Sequence, residues 1–272
     1  MLSADSATSV WRTALRNVLG NGSNVSPRKK KTVELLQHTT IVDMTEPVVA
    51  SPHRKLSYVY LAAEALWVLS GDDKVSAIAP YNARIAEFSD DGVRFFGAYG
   101  PRIVEQLPYV INKLDEDPHT RQAVLTTWRQ NPPTTKDVPC TVALAFSLRH
   151  EKLNCHTFMR SSDLWLGWPY DVFTFSMVSA VVALRLNLLR RYRQLQPVGI
   201  GHLYLTAASS HLYEENWADA RACAQESEVL ITEPMRQLSD ESDLIRALAA
   251  CRGQDEIESG GCWRIRPRKE LP

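Results

Sequence analysis

Between residues 121 and 171 the chain carries side chains whose types suit nucleophilic chemistry. Cys140 closes a polar loop, "NPPTTKDVPC", just before an apolar run, which sets its thiol at a loop-to-strand junction where a cleft can expose it. Most cysteines are inert core residues, and one becomes reactive only beside groups that stabilise its thiolate. Arg121 and Arg160 fall at the ends of neighbouring candidate strands, and guanidinium groups both stabilise a thiolate and grip phosphate in bidentate fashion. Glu64 is the one ionisable group in "LSYVYLAAEALWVL". An unpaired carboxyl on a buried helix is costly, so Glu64 reads either as a hydrogen-bond hub or as a working acid.

These side chains need a frame. Residues 9–19 have helical apolar spacing and stop at "GNG"; a basic loop, "SPRKKKT", follows. Residues 56–69 read as a helix buried almost all round and ended by "SGDD". Strand character appears at 121–128, 141–150, 152–160 and 199–207, enough for one sheet, with helices expected at 168–191 and 210–224 to cover it. The pattern is α+β, since the strands cluster while the long helices flank them. Segment 172–189 is long and apolar, but Arg185 and Asn187 interrupt it, and a buried central helix is the better reading than a membrane span.

Composition narrows the function classes. The 272 residues are 44% hydrophobic and can bury one large core, so a single catalytic domain over 1–272 is expected. Lysine plus arginine balances aspartate plus glutamate, 31 against 31, which leaves no global field to draw the chain to nucleic acid or an anionic membrane. Five cysteines, an odd number without a CxxC pair or a secretory signal, point to reduced thiols in the cytoplasm (a host's, for a phage protein) and away from a metal site.

At this point a resemblance enters. The stretch from Asp117 to Asp171, with "DPHTRQAVLTTW", "VPC" and "CHTFMRSSDLWLGWPYD", resembles the core of thymidylate synthase and its relatives, the pyrimidine-nucleotide hydroxymethylases. "AEALWVLSGDD" is similar to the family's glutamate-bearing helix, "FGAYG" to its active-site tyrosine turn, "SSHLYEEN" to its sugar-binding His-x-Tyr, and "VLGNGSNVSPR" to its N-terminal helix and phosphate loop. The likeness covers most of residues 9–216 in the family's order. It implies a thymidylate-synthase-like fold, a mixed β-sheet with covering helices, and a homodimer joined across one sheet face.

It also implies roles. Cys140 would add as thiolate to C6 of a pyrimidine, turning C5 into a carbon nucleophile that attacks a one-carbon unit from 5,10-methylenetetrahydrofolate. Arg28, Arg121 and Arg160 would clamp the nucleotide phosphate with Ser161, Arg121 reaching the partner's site. His211 and Tyr213, on a turn or helix start, would hold the sugar. Glu64 would organise water and shuttle protons, a role that burial suits. Tyr99 would help remove the C5 proton, while Asp163, Ile85, Gly167 and Tyr170 would meet the folate. Singly, each has a plainer reading: Tyr99 as packing, Asp163 as a helix cap, Arg28 as solvated loop.

Departures from the family pattern point to the reaction. Asp171 stands where the synthases carry an asparagine that pairs with the uracil edge; a carboxylate accepts from the exocyclic amine of cytosine, as in the deoxycytidylate hydroxymethylases. Ile85 replaces a tryptophan that guards the intermediate, and "RIRPRKELP" is unlike the apolar terminus that closes the synthase site; both admit water. Gln122 follows Arg121 where a second arginine is usual, Thr141 replaces a histidine, and "AASS" replaces "GGDT". The expected reaction is 5-hydroxymethylation of a cytidine-type monophosphate, deoxycytidylate favoured. Alternatives are a methyltransferase on that nucleotide, a ribonucleotide hydroxymethylase, a deoxyuridylate hydroxymethylase or thymidylate synthase, and a nucleotide- or RNA-binding regulator. A DNA cytosine methyltransferase is disfavoured by neutral charge and the missing glycine-rich methionine-cofactor loop.

Overall fold

The computed structural model describes residues 5–226, 230–232, 235, 238–252 and 265–267. Helix α1 (Ala7–Asn21) opens on Ser6, whose hydroxyl accepts from the Ser9 N–H, and buries Ala7, Trp11, Ala14, Leu15 and Val18 along one stripe. It ends where the chain folds back at Gly22; a Cβ there would lie 2.5 Å from the Val18 carbonyl oxygen, so only glycine fits. Strands β1 (Ser23–Val25) and β2 (Thr32–Asp43) follow, then α2 (Tyr58–Leu69), which Ser57 caps through the Tyr60 N–H. A short helix α3 (Val75–Ile78) and a 3-10 segment, Ala83–Phe88, lead to α4 (Tyr99–Glu116).

Next come β3 (Val124–Thr126), β4 (Thr141–Arg149), β5 (Lys152–Met159) and β6 (Ser162–Asp163), then the long α5 (Trp168–Tyr192) and β7 (Gly199–Tyr213). Helices α6 (Trp217–Ala224) and α7 (Glu241–Arg252) and the small pair β8 (Leu230–Thr232) and β9 (Ile265–Pro267) complete the described chain. The main sheet runs β1-β2-β7-β5-β4-β3, with β6 added beside β7. It is mixed, because β5 and β7 are parallel while β2–β7, β4–β5 and β3–β4 are antiparallel. The α+β expectation holds.

The apolar segment 172–189 is the centre of the molecule. Val172, Phe173, Phe175, Met177 and Val178 are wholly enclosed, and the hydroxyls of Ser176 and Ser179 donate to the Val172 and Phe175 carbonyls at 2.7 Å, so neither is left unpaired in the core. Of the two residues that argued against a membrane span, Arg185 forms a bidentate pair with Glu241 of α7, and Asn187 bonds both backbone groups of Val198.

Two expectations need correction. Residues 210–224 are not one helix: β7 runs on to Tyr213, and α6 begins only at Trp217. The strand expected over 121–128 is confined to Val124–Thr126. Two major elements, β2 and α4, carry no clear sequence signal. In β2 a residue at positive φ, Gln37, breaks the alternation, and α4 contains Pro101 and Pro108.

One face of the sheet packs on α1, α4 and α5. The other bears Ile41, Val124, Phe158, Thr206 and a stacked pair, His156 and Tyr204, with centroids 4.7 Å apart. Phe158 is 44% exposed on this face.

Candidate active site

Cys140 sits immediately before β4, where the β4–β5 register slips between Thr141 and Ala143. Such a slip re-aims the backbone, a common device beside functional side chains. Arg160 holds the Cys140 segment at three points. Its N–H donates to the Cys140 carbonyl at 2.8 Å, its Nε to Pro139 O at 2.8 Å and its Nη2 to Val138 O at 2.8 Å. The same Nη2 lies 3.7 Å from the Cys140 sulfur. Burial pushes the thiol pKa up, the Arg160 charge pulls it back, and Asp171 raises it again. The loop before Cys140 is tied to the start of α4, where the Gly97 N–H donates to Asp137 Oδ2 at 2.6 Å.

That tie sets Tyr99 beside the nucleophile. Its hydroxyl accepts from the Thr141 N–H at 3.1 Å, and its ring stacks on Phe175 of α5. Burial, with Asp171 and Cys140 nearby, raises the Tyr99 pKa, so the phenol stays protonated. Asp171 lies in the first turn of α5, its N–H bonded to Gly167 O. Desolvation, then Glu64 and Asp163, drive its pKa well above the carboxylate range. Glu64 accepts from the Tyr60 hydroxyl at 2.8 Å, yet desolvation carries its pKa to about 7. Cys140, Tyr99, Asp171, Glu64 and Asp163 thus lie within electrostatic reach of one another as a partly buried cluster.

Asp163 has a double character. Its Oδ1 accepts from the Trp165 and Leu166 N–H groups at 2.8 and 3.0 Å, so the capping role is real; its pKa is nonetheless raised by burial. Gly167 closes the same turn, and a Cβ there would stand 3.3 Å from Asp171 Oδ2. Tyr170 packs edge-on against Tyr60 at 5.0 Å, and Ile85 joins the small apolar cluster that contains Tyr60 and Ala63. Ile85, Gly167 and Tyr170 thus lie around Glu64 and Asp171. Apolar side chains beside polar carboxyls are of a kind that could meet a pterin ring, which has a large planar face and a polar edge.

The residues expected to meet the sugar and phosphate form a second group. His211 and Tyr213 are on strand β7, which corrects the turn or helix start expected for them. The strand places them on one face, two residues apart, with rings edge-to-face at 5.3 Å. His211 pairs with Asp163 across β6–β7, and its Nδ1 is buried without a partner. The Tyr213 hydroxyl accepts from Arg28 Nη2 at 3.3 Å. Arg28 and Lys29 both adopt positive φ, a strained turn that aims a basic loop. Ser161 follows Arg160 and precedes β6, joining the two groups. Arg121 stands apart: it is exposed just before β3, at the opposite sheet edge from the Arg28 loop beside β1.

Sequence reasoning missed Arg54 and Trp165. The Arg54 guanidinium lies 4.2 Å over the Trp165 ring and donates to Trp165 O at 2.7 Å; its Nε is buried without a partner. Burial lowers its pKa, while Tyr170, Cys223 and Asp163 oppose the shift. No local signal marks Arg54, whereas Tyr60, one turn before Glu64, was findable from its i, i+4 spacing. Thr141 Oγ1 and Thr174 Oγ1 are further buried atoms without partners. The expectation for the C-terminal "RIRPRKELP" falls mostly outside the described residues, as does Cys262; Cys140, Cys155 and Cys223 form no disulfide among the described residues.

The geometry agrees with comparisons to known proteins. Residues 9–242 match the family model described as thymidylate synthase. The chain is 29% identical over 240 residues to the deoxyuridylate hydroxymethyltransferase of Bacillus phage SP01, covering 79% of this chain. It spans only 59% of that relative's length. With the matched region holding every element from α1 to the start of α7 and every site residue named above, the chain belongs to the thymidylate synthase family.

Proposed function

We propose that the protein transfers a one-carbon unit from 5,10-methylenetetrahydrofolate to C5 of a pyrimidine nucleoside monophosphate and releases the 5-hydroxymethyl product. The observation that carries this reading is the clustering of the Cys140 thiol, the protonated Tyr99 phenol and two carboxyls of raised pKa, Glu64 and Asp171, within electrostatic reach of one another. The Cys140 sulfur bonds to C6 and the ring's C5–C6 electron pair moves toward C4, which makes C5 nucleophilic. The co-substrate supplies the one-carbon unit. Tyr99 relays the C5 proton away through water, and Glu64, near neutrality, exchanges protons with that water.

Water, not hydride, completes the reaction in this reading, since Ile85 leaves an aliphatic side chain where a larger ring would exclude solvent. Arg28, Arg160 and Ser161 hold the phosphate, His211 and Tyr213 the sugar, and Asp163, Ile85, Gly167 and Tyr170 the folate. Arg121, remote from Arg28 within one chain, completes a second subunit's phosphate site in a homodimer joined through the face of Phe158, His156 and Tyr204. Asp171 favours a cytosine edge, and deoxycytidylate is the preferred substrate. A second reading, hydroxymethylation of deoxyuridylate, is favoured by the printed activity of the phage relative.

The test is to incubate the protein with methylenetetrahydrofolate and each of deoxycytidylate, cytidylate, deoxyuridylate and uridylate, then weigh the products. A hydroxymethylated pyrimidine is expected; methylated product only, or no product from any nucleotide, overturns the proposal.

A further inference from the structure

Glu226 lies just past α6, yet its side chain is only 1% exposed. A buried charge is costly unless it is paired and hydrogen-bonded. Glu226 meets both conditions through segments far away in the chain. Its Oε2 forms an ion pair with Arg12 of α1, whose side chain is also buried. Its Oε1 accepts from the Ser51 hydroxyl at 2.5 Å, from the His53 N–H at 3.2 Å and from His53 Nδ1 at 2.8 Å. Burial pushes the Glu226 pKa up, and the Ser51 and His53 bonds with the Arg12 charge bring it below the ordinary value, so the group is a carboxylate.

Those bonds shape the connection between β2 and α2. Residues 44–57 contain neither helix nor strand, so side chains must fix their course. The Ser51 hydroxyl that donates to Glu226 also accepts from the Arg54 N–H at 3.2 Å, which closes a turn over 51–54. Arg54 then reaches the segment between β6 and α5: its guanidinium lies 4.2 Å over the Trp165 ring, and its Nη2 donates to Trp165 O at 2.7 Å. Trp165 and Leu166 donate their N–H groups to Asp163, and the Gly167 N–H donates to Asp163 O. The same segment is gripped from α1, where Trp11, next to Arg12, donates its Nε1–H to Leu164 O at 2.6 Å. One carboxylate therefore ties together both holders of the 163–167 turn, the 51–54 turn and α1.

We propose that Glu226 is a positioning residue for the co-substrate side of the site: its carboxylate sets the 51–54 turn, and through Arg54 and Trp165 it holds Asp163 and Gly167 where the folate meets them. This rests on the folate role given above to Asp163 and Gly167. Glu226 acts through Ser51, Arg54 and Trp165 rather than on either substrate. The physical reason is conformational entropy. Each loop residue that is ordered only on binding weakens binding, whereas a turn already ordered by a buried carboxylate does not. Loosening the turn therefore weakens the hold on folate and leaves the Cys140 thiol and the nucleotide contacts of Arg28, Arg160 and Tyr213, which stand on other segments, in place.

Removing one member of a buried ion pair is strongly destabilising, so two gentler variants serve. Ser51→Ala cuts the link between Glu226 and the Arg54 turn, and Arg12→Leu combined with Glu226→Leu replaces the whole pair; if the pair replacement does not fold, Ser51→Ala decides. Hydrogen exchange of the unliganded proteins, read by mass spectrometry, is expected to speed at the Trp165 and Leu166 amides in both variants, with the buried amides of α5 unchanged. In steady-state assays the KM for methylenetetrahydrofolate rises about tenfold, the span of one lost hydrogen bond, while kcat and the nucleotide KM stay within about twofold of the parent. Ser51→Thr, which keeps the hydroxyl, restores both readouts, and Ser51→Ala added to Arg54→Ala causes no further loss. Unchanged exchange at Trp165 and Leu166, a folate KM equal to the parent's, or equal losses in kcat and both KM values overturns the proposal. If the parent turns over no nucleotide, the function proposed above falls, and the exchange result by itself upholds or overturns the tie from Glu226 to the 163–167 turn.

Discussion

Arg160 and Cys140 are joined twice, once through the backbone at 2.8 Å and once by the guanidinium resting 3.7 Å from the sulfur. Because two further guanidinium bonds fix Arg160 on the Val138 and Pro139 carbonyls, its charge is held near the thiol before any substrate arrives. Replacing Arg160 by alanine should raise the Cys140 pKa further, since burial and Asp171 then act unopposed. Alkylation of Cys140 by iodoacetamide near neutral pH should slow by up to roughly tenfold per unit of that rise. An unchanged rate would show that the arginine does not tune the thiol.

Cys140→Ala should abolish product while nucleotide still binds, because the phosphate and sugar contacts of Arg28, Arg160, His211 and Tyr213 do not involve the sulfur. Retained turnover would remove Cys140 from the nucleophile's role.

Tyr99→Phe keeps the stack on Phe175 but frees the Thr141 N–H and removes the phenolic proton near Cys140. Turnover should fall by about a hundredfold or more, the usual span for a lost proton-transfer group, with the thermal midpoint close to the parent's. Equal losses of activity and fold would make Tyr99 a packing residue.

Glu64 predicts a pH-dependent stability with a fixed sign. The folded-state pKa, about 7, lies above the unfolded value, so the protonated form is favoured by folding. That contribution is fully present below the ordinary glutamate pKa and is lost as pH rises through about 7. Glu64→Gln, which still accepts from Tyr60, should therefore match the parent in mildly acidic buffer and melt about 2–6 °C higher in mildly alkaline buffer. Scanning calorimetry at the two pH values checks the crossover; an offset of the same size at both would refute it.

Arg121 tests the assembly. Neither Arg121→Ala nor Cys140→Ala should turn over alone, yet a mixture allowed to exchange subunits should regain part of the activity, since a hybrid dimer holds one site with both groups. Phe158→Glu, on the open sheet face, should yield monomers by light scattering and lose that rescue.

Much of the site could be read before the fold was known, because its chemistry is local. The cysteine after "VP", the arginine ahead of "SSD", the lone glutamate in an apolar helix and the aspartate after "GWPY" each stand in short segments whose elements, α2, β4, β5 and α5, announce themselves by periodicity. Their hydrogen-bonding and charged types limit what they do, whatever surrounds them. The amino-acid order thus determined the α+β class and singled out the proposed nucleophile and base-reading position.

Only the tertiary structure decided who neighbours whom. Register across β6–β7 sets Asp163 opposite His211, and the run of β7 to Tyr213 puts His211 and Tyr213 on a strand. Arg54 reaches Trp165 over 111 residues, which no local pattern encodes. Above all, Glu64, Asp163 and Asp171 come from three elements, and their protonation follows from shared burial. Pairing and desolvation are properties of distances between segments, and those distances exist only once the chain has folded.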